Sequence, residues 1–198
     1  MLNWLIRSLV FLVLKAFFRF QIKGAEYIPK KGGFILASNH VSYLDPPVVA
    51  AGCPRRLSFM ARHDLFFNRF FSWLISSAGA FAVKRNSADL SAMKEGIRRL
   101  KKGEALLLFP EGSRQEKNIP AVEPQAGIGF LVQKAGVPVI PVFVKGTEEA
   151  LPKGAKFIKP AQVSVCFGRQ IRIEGRMPYQ DVAQLIMAGI RRLSKNIP

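Results

Sequence analysis

The chain has 198 residues, 49% of them hydrophobic, and carries a net charge of +17 from 30 Lys and Arg against 13 Asp and Glu. This length fits one domain with a core of its own, and 16 Phe beside so much positive charge argue against a soluble nucleic-acid binder. Apolar surface combined with positive charge is typical of a protein that lies on anionic lipid. We therefore expect an anionic membrane surface as a partner, and no nucleic acid.

The first 20 residues form one apolar stretch, MLNWLIRSLVFLVLKAFFRF. A signal peptide is disfavoured, because no charge precedes the apolar run and no small-residue cleavage site follows it. On a helical wheel Arg7, Lys15 and Arg19 share one side, and the other side is apolar: Leu5, Ile6, Leu9, Val13 and Phe17. We favour a helix lying on the membrane; a transmembrane span and a helix that only packs on the core are the alternatives.

Beyond a soft boundary near Gly24, short apolar runs alternate with longer helical patterns. The predicted strands are 33–38, 56–61, 80–85, 104–109, 137–144 and 161–173. A helix over 87–103, capped by Ser87 and ended by Gly103, and a closing helix over 178–195 are also predicted. The pattern predicts an α/β domain over 24–198, with a mixed, largely parallel sheet flanked by helices, after an N-terminal amphipathic or membrane helix over 1–23.

Residues 64–81, DLFFNRFFSWLISSAGAF, are rich in aromatic side chains and contain one Arg. One interpretation is a helix of the core. The other is a second membrane-touching surface, with Trp73 and the phenylalanines at the headgroup boundary.

Residues 38–47, SNHVSYLDPP, place His40 and Asp45 five positions apart behind a predicted strand. Such positions do not face each other on a helix, and Pro46 disfavours helical geometry at Asp45, so we expect the pair to meet across a turn at the strand end. A carboxylate on one ring nitrogen stabilises the imidazolium that forms when the other nitrogen takes a proton. A purely structural pair is the alternative. Ser42 lacks the context of a nucleophile, so a base here would activate the substrate's own hydroxyl.

Two further predicted strands end in basic residues. The segment 106–115, LLLFPEGSRQ, brings Arg114 to a strand end, and the segment 79–85, GAFAVKR, brings Lys84 and Arg85. A guanidinium can bind two phosphate oxygens at once, although a basic pair such as the second is often only solvated. Together with the His–Asp pair, these residues suit a hydroxyl group attached to a phosphate.

Four motifs occur in a fixed order between about residues 24 and 173: NHVSYLD, GAFAVKR, FPEGSR and VPVIPV. They resemble the four blocks of the glycerolipid acyltransferase family, which includes the lysophosphatidic acid acyltransferases. The resemblance implies a monotopic membrane enzyme that moves an acyl group from a thioester of coenzyme A or acyl carrier protein to 1-acylglycerol-3-phosphate, giving phosphatidic acid. It implies no acyl-enzyme, no cofactor and no metal.

By motif position, the resemblance implies that His40 is the general base and Asp45 its orienting partner. Pro138 and Pro141 would shape a strand near the site. The residues expected to bind substrate are Asn39, Lys84, Arg85, Glu111, Gly112, Ser113 and Arg114.

Two features depart from the family pattern. The stretch PQAGIGF has Gln125 and Ala126 where many members carry a basic pair, which leaves the exact acceptor open, and only one apolar helix precedes the domain. Acylation of another lysophospholipid or of a lyso-aminolipid is therefore an alternative, as is a non-catalytic membrane-binding protein on the same fold. We expect the chain at the cytoplasmic face of the cell membrane.

The remaining reactive side chains are interpreted as structural. His63 is next to Asp64, but adjacent residues point apart, so we expect a structural or surface role. Cys53 and Cys166 have no neighbours at metal-ligand spacing and are interpreted as reduced core residues.

Overall fold

Seven strands form one sheet across the residues that the computed structural model describes, which are 2–83, 89–115, 122–152 and 154–195, with side chains from residue 8 onward. The strands are β1 (Gln21–Lys23), β2 (Phe34–Ser38), β3 (Leu57–Arg62), β4 (Ala80–Val83), β5 (Ala105–Leu108), β6 (Val139–Lys145) and β7 (Ser164–Phe167). The helices are α1 (Leu2–Phe18), α2 (Asp45–Gly52), α3 (Arg69–Ser77), α4 (Leu90–Lys101), α5 (Ala126–Ala135), α6 (Thr147–Ala150) and α7 (Tyr179–Ser194).

The strand order is β1-β7-β6-β2-β5-β3-β4, and every neighbouring pair is parallel except β6 with β7. The predicted α/β domain with a mixed, largely parallel sheet is confirmed. Six strands lie within or closely overlap the predicted runs, whereas β1 was missed because three residues are too few to show a periodic pattern.

Helices cover both faces of the sheet and divide the core into two layers. In β2, Phe34 and Leu36 pack in the layer beneath α1 and α2, while Ile35 and Ala37 pack in the layer with α4, α5 and α7. This alternation explains why β2 is apolar almost throughout: both faces of a central parallel strand are buried.

Helix α1 packs on the core with one side and exposes apolar side chains on the other. It packs on α2 and buries Leu14 and Phe18 in the core. Its other side is apolar and exposed: Leu9, Leu12, Val13 and Phe17 are 42–65% exposed. Among the described residues, no helix has the length and hydropathy needed to cross a membrane.

The aromatic segment does not form a core helix. None of the residues of α3 is buried. The exposed side chains include Phe67 (74%), Phe70 (72%) and Trp73 (53%). These aromatics form an outward-facing apolar surface of the kind that touches other molecules.

Two helices begin where the sequence did not predict a helix start. Helix α4 is capped by Asp89, whose carboxylate accepts the Ala92 N–H at 3.0 Å, and the predicted cap Ser87 lies outside the described residues. Asp45, expected in a turn, is the first residue of α2. Prolines in a first helical turn are tolerated because the N–H groups there have no partner within the helix.

Candidate active site

Three neighbouring strands deliver the candidate site to one edge of the sheet. Strand β2 lies between β5 and β6, parallel to both, with Ala37 opposite Leu108 and Ser38 opposite Val142. The loops that follow these strands therefore meet at their carboxyl ends, which is where sites form in parallel sheets. They contain the motif NHVSYLD after β2, the motif FPEGSR after β5 and Thr147 after β6.

The expected His–Asp pair is formed. His40 Nδ1 lies 2.8 Å from Asp45 Oδ2, and the same oxygen accepts the backbone N–H groups of Val41 at 2.7 Å and Ser42 at 2.8 Å. An ionised carboxylate can only accept hydrogen bonds. His40 Nδ1 is therefore the donor to Asp45, and it is the ring nitrogen that carries the proton. Nε2 is then the nitrogen that can take a proton from a substrate.

Asp45 is held entirely by neutral donors. Its side chain is fully buried, and its second oxygen, Oδ1, accepts the Thr147 hydroxyl at 2.6 Å. Four hydrogen bonds to one buried carboxylate fix its orientation and offset part of the cost of removing it from water. The imidazole of His40 is the one partner among them that can become a cation.

The loop after β5 holds His40 from three directions. The ring stacks on Phe109 with centroids 4.0 Å apart. The His40 N–H donates to Glu111 Oε2 at 2.9 Å, and its carbonyl accepts the Gln115 N–H at 2.7 Å. With its side chain only 13% exposed, the ring is confined between Phe109 and Asp45.

Glu111 is buried, and its carboxylate faces the protein. Burial raises its pKa to about 7, the charge of Asp45 also raises it, and the bond from the His40 N–H and the charge of Arg191 lower it. A carboxyl group in this state changes charge near neutral pH. Its observed contact is with the backbone of His40.

Arg114 lies over an aromatic ring from the loop that carries His40. Its guanidinium carbon is 3.5 Å from the centroid of Tyr43, so the two loops pack through a cation–π contact. Tyr43 is 62% exposed, Arg114 is half-buried and Ser113 is exposed. This stack fixes a cation at the rim of the site.

Gly112 adopts a left-handed conformation with φ 69°, and a Cβ there would collide with the side chain of Gln125. The Gln125 N–H donates to Pro110 O at 2.8 Å. The residue that replaces the basic pair of many family members therefore packs directly against the FPEGSR loop.

The remaining predicted substrate residues are placed differently. The Asn39 amide donates to Val144 O at 2.9 Å and accepts the Val144 N–H at 2.8 Å, which ties the end of β2 to β6. Lys84 and Arg85 lie outside the described residues. His63, as expected, is exposed, and its ring packs edge-on against Phe67.

Sequence reasoning missed Thr147 and Tyr43. Thr147 is 102 residues from its partner Asp45, a separation at which no spacing rule applies. Tyr43 lies inside the first motif, but neither of its neighbours in sequence indicates an arginine above its ring. Within the described ranges, no cluster of three or more His, Cys, Asp or Glu residues could hold a metal ion.

Comparisons with known proteins identify the family of this chain. Residues 19–145 match the family model described as Acyltransferase. The chain is 32% identical over 166 residues to the 1-acyl-sn-glycerol-3-phosphate acyltransferase of Streptococcus pneumoniae, covering 83% of this chain and 57% of that protein. It is 27% identical over 186 residues to the enzyme of that name from Pseudomonas aeruginosa, covering 92% and 70%.

A similar fold occurs in the crystal structure of the 1-acyl-sn-glycerophosphate (LPA) acyltransferase, PlsC, from Thermotoga maritima. The TM-score is 0.83 at 23% identity, covering 98% of this chain and 79% of that one. The family model covers more than half of the chain and includes all four motifs. The family predicted from those motifs is confirmed: the chain belongs to the Acyltransferase family.

Proposed function

We propose that this chain transfers a fatty acyl group from an acyl thioester to the free hydroxyl of 1-acylglycerol-3-phosphate, giving phosphatidic acid. The observation that carries the proposal is the His40–Asp45 pair, with Nδ1 engaged at 2.8 Å and Nε2 left for a substrate hydroxyl. The relatives named as 1-acyl-sn-glycerol-3-phosphate acyltransferases support the choice of acceptor.

The reaction needs one base and no enzyme nucleophile. His40 Nε2 takes the proton of the acceptor hydroxyl as its oxygen bonds to the thioester carbonyl carbon; the carbon–sulfur bond then breaks, and the imidazolium protonates the departing thiolate. Ser42 supports a route without an acyl-enzyme, because its buried hydroxyl donates to Leu151 O at 2.9 Å.

We assign the acceptor's phosphate to Arg114 at the rim and, by motif position, to Lys84 and Arg85. Arg114 is held there by Tyr43, and Arg85 and Lys84, with Gly112 and Ser113, complete the predicted site. Asn39 and Glu111 are assigned a supporting role, since both direct their polar atoms at the backbone. Another lysophospholipid remains the second candidate acceptor, favoured by Gln125 in place of a basic pair.

The apolar side chains around the domain support membrane contact. The outer side of α1 and the aromatic segment are exposed, and Phe157 (79%) and Ile158 (56%) project from a loop between Lys156 and Lys159. Apolar tips flanked by cations suit anionic headgroups. We place the enzyme on the cytoplasmic face of the cell membrane, where it would meet acyl-coenzyme A or acyl carrier protein as donor.

The direct test offers the purified chain both thioester donors with a panel of lysophospholipids and a lyso-aminolipid, and identifies products by mass spectrometry. We expect phosphatidic acid from 1-acylglycerol-3-phosphate, and a rate of product formation at least about 10²-fold lower from His40→Ala. A different product would identify the second candidate. Absence of every product from folded, vesicle-bound protein would favour the non-catalytic alternative.

A further inference from the structure

The turn after strand β6 supplies a contact to Asp45 that none of the four motifs predicts. Thr147 Oγ1 donates to Asp45 Oδ1 at 2.6 Å, and both residues are fully buried. The other oxygen, Oδ2, accepts His40 Nδ1 and two backbone N–H groups. The two oxygens therefore have separate donors, and rotation of the carboxylate would break bonds on both sides.

We propose that Thr147 is a positioning residue for acyl transfer, whose hydroxyl fixes the Asp45 carboxylate so that Oδ2 stays in line with His40 Nδ1. This inference rests on the proposed role of His40 as the base. Thr147 does not touch the reacting atoms; it acts through Asp45.

The fold places Thr147 by two local constraints. Gly146 adopts φ 88°, and a Cβ there would collide with the backbone of Gln162, so the chain turns sharply from β6 into α6. Three residues before Thr147, the backbone of Val144 is held by both polar atoms of Asn39. Asn39 thus reaches from the β2 end to β6, and Thr147 reaches back from the end of β6 to Asp45.

The hydroxyl matters because Asp45 has no permanent cation among its hydrogen-bond partners. Without Thr147, Oδ1 would be a buried charged acceptor with no donor, which is costly and favours movement of the carboxylate. A displacement of about 1 Å in a catalytic constellation can reduce the rate about 10²-fold. We therefore expect a loss of about 10- to 100-fold in kcat.

The experiment compares Thr147→Val, which keeps the shape and removes the donor, with Thr147→Ser, which keeps the hydroxyl. Ser58→Ala is the matched control, because it removes a buried hydroxyl that donates to Glu104 at 2.8 Å, at the opposite edge of the sheet. We expect Thr147→Val to lower kcat while the KM values of both substrates stay within about two-fold. Thr147→Ser and Ser58→Ala should remain close to wild type.

A spectroscopic measurement separates positioning from a smaller folded fraction. The chain has only two histidines, so the Nδ1 proton resonance of His40 can be assigned by comparison with His63→Gln. In folded Thr147→Val this resonance should shift or broaden through faster exchange, while in Ser58→Ala it should not. If Val is not accommodated, Thr147→Ala gives the same comparison.

The outcomes distinguish this inference from the proposed function. A folded Thr147→Val or Thr147→Ala protein with wild-type kcat and an unchanged His40 resonance would overturn the inference while His40→Ala is still inactive. Near-wild-type activity in folded His40→Ala would instead overturn the proposed function, and with it the basis of the inference.

Discussion

A hydrogen bond from a hydroxyl to a carboxylate occurs at both edges of the sheet, the carboxyl edge where the parallel strands end and the amino edge where they begin. The surroundings of the two carboxylates differ. At the carboxyl edge, Thr147 donates to Asp45, which is fully buried. At the amino edge, Ser58 donates to Glu104, whose side chain is 40% exposed. This second carboxylate borders an open depression of about 470 Å³ lined by Arg55, Arg56, Ser58, Arg99, Gly103 and Glu104.

The difference lies in what balances the negative charge. Glu104 has a permanent cation at 3.4 Å, the guanidinium of Arg99, and Arg55 directs its donors to the carbonyls of Pro29, Gly32 and Gly103. Asp45 has neutral donors and the imidazole of His40. Its charge is matched only when His40 takes a proton, which is the step a general base must perform. The hydroxyl–carboxylate contact at the amino edge is therefore structural. At the carboxyl edge the carboxylate is suited to support proton transfer to His40.

The largest expected effect comes from changing the buried carboxylate of Asp45 to an amide. The same change at Glu104 is the comparison. Asp45→Asn should lower kcat about 10²- to 10⁴-fold, because an amide cannot stabilise the imidazolium, and His40→Ala should fall in the same range. Glu104→Gln should leave kcat within about two-fold. Steady-state assays on folded proteins measure both. Comparable losses from Asp45→Asn and Glu104→Gln would mean that the two edges do not differ as we describe.

The next largest effect is expected on the KM of the acceptor when Arg114 at the carboxyl edge is replaced. If Arg114 binds the phosphate of the lysophospholipid acceptor, Arg114→Ala should raise the acceptor's KM about 10- to 100-fold and the donor's KM much less. Arg114→Lys should rescue only in part, because one ammonium cannot reproduce a planar fork on the Tyr43 ring. Arg56, at the amino edge, provides the control as Arg56→Ala. An equal rise for donor and acceptor would reassign Arg114 to fold support.

Glu111 connects the carboxyl edge to the pH dependence of stability. Its pKa rises from 4.5 to about 7 on folding, so the folded state binds more protons between these pH values, and stability falls as pH rises through that window. The loss is at most about 3.5 kcal/mol and is complete by about pH 8. Glu111→Gln stays neutral and keeps an oxygen for the His40 N–H, so it should flatten this dependence. Urea unfolding at pH 5 and pH 8 gives the free energy of unfolding of the wild type and of Glu111→Gln. An equal decrease between these pH values in both proteins would contradict the prediction.

The smallest effect concerns the outer surface of α1. Leu12→Gln should weaken binding to anionic vesicles several-fold, because a leucine that is 64% exposed loses its apolar contact with lipid. Leu90→Gln, on α4 in the other helix layer and 63% exposed, is the matched control. Vesicle sedimentation measures both. Deleting residues 1–20 would not isolate this contact, because the deletion also removes the buried Leu14, Phe18 and Phe20. Equal vesicle binding by Leu12→Gln and Leu90→Gln would mean that the outer surface of α1 does not contact the membrane.

Much of the fold follows from local patterns. The apolar runs predict six strands because a strand covered on both faces must be apolar throughout, and Gly103 marks where α4 ends. The three-residue β1 shows no such pattern. The aromatic segment was ambiguous for a related reason: a run of phenylalanines has the same composition whether it faces a core or an exposed surface.

The candidate site was predictable in its chemical types and only partly in its contacts. His40 and Asp45 meet as expected because only a short turn separates the end of β2 from the first residue of α2. The contacts of Asn39 and Glu111 were not predictable, since they reach Val144 and His40 across 105 and 71 residues. No local spacing indicates whether a polar side chain faces a substrate or a distant backbone.

The sequence by itself determined the fold class, the family and the loop that pairs a histidine with a carboxylate, because periodicity and short motifs are local properties of the chain. The tertiary structure alone decided which groups surround that carboxylate. Strand order brings Thr147 and Glu111 to the loop after β2, and burial removes water from Asp45 and Glu111. Charge balance depends on distances between residues far apart in the chain, and these exist only once the strands have paired.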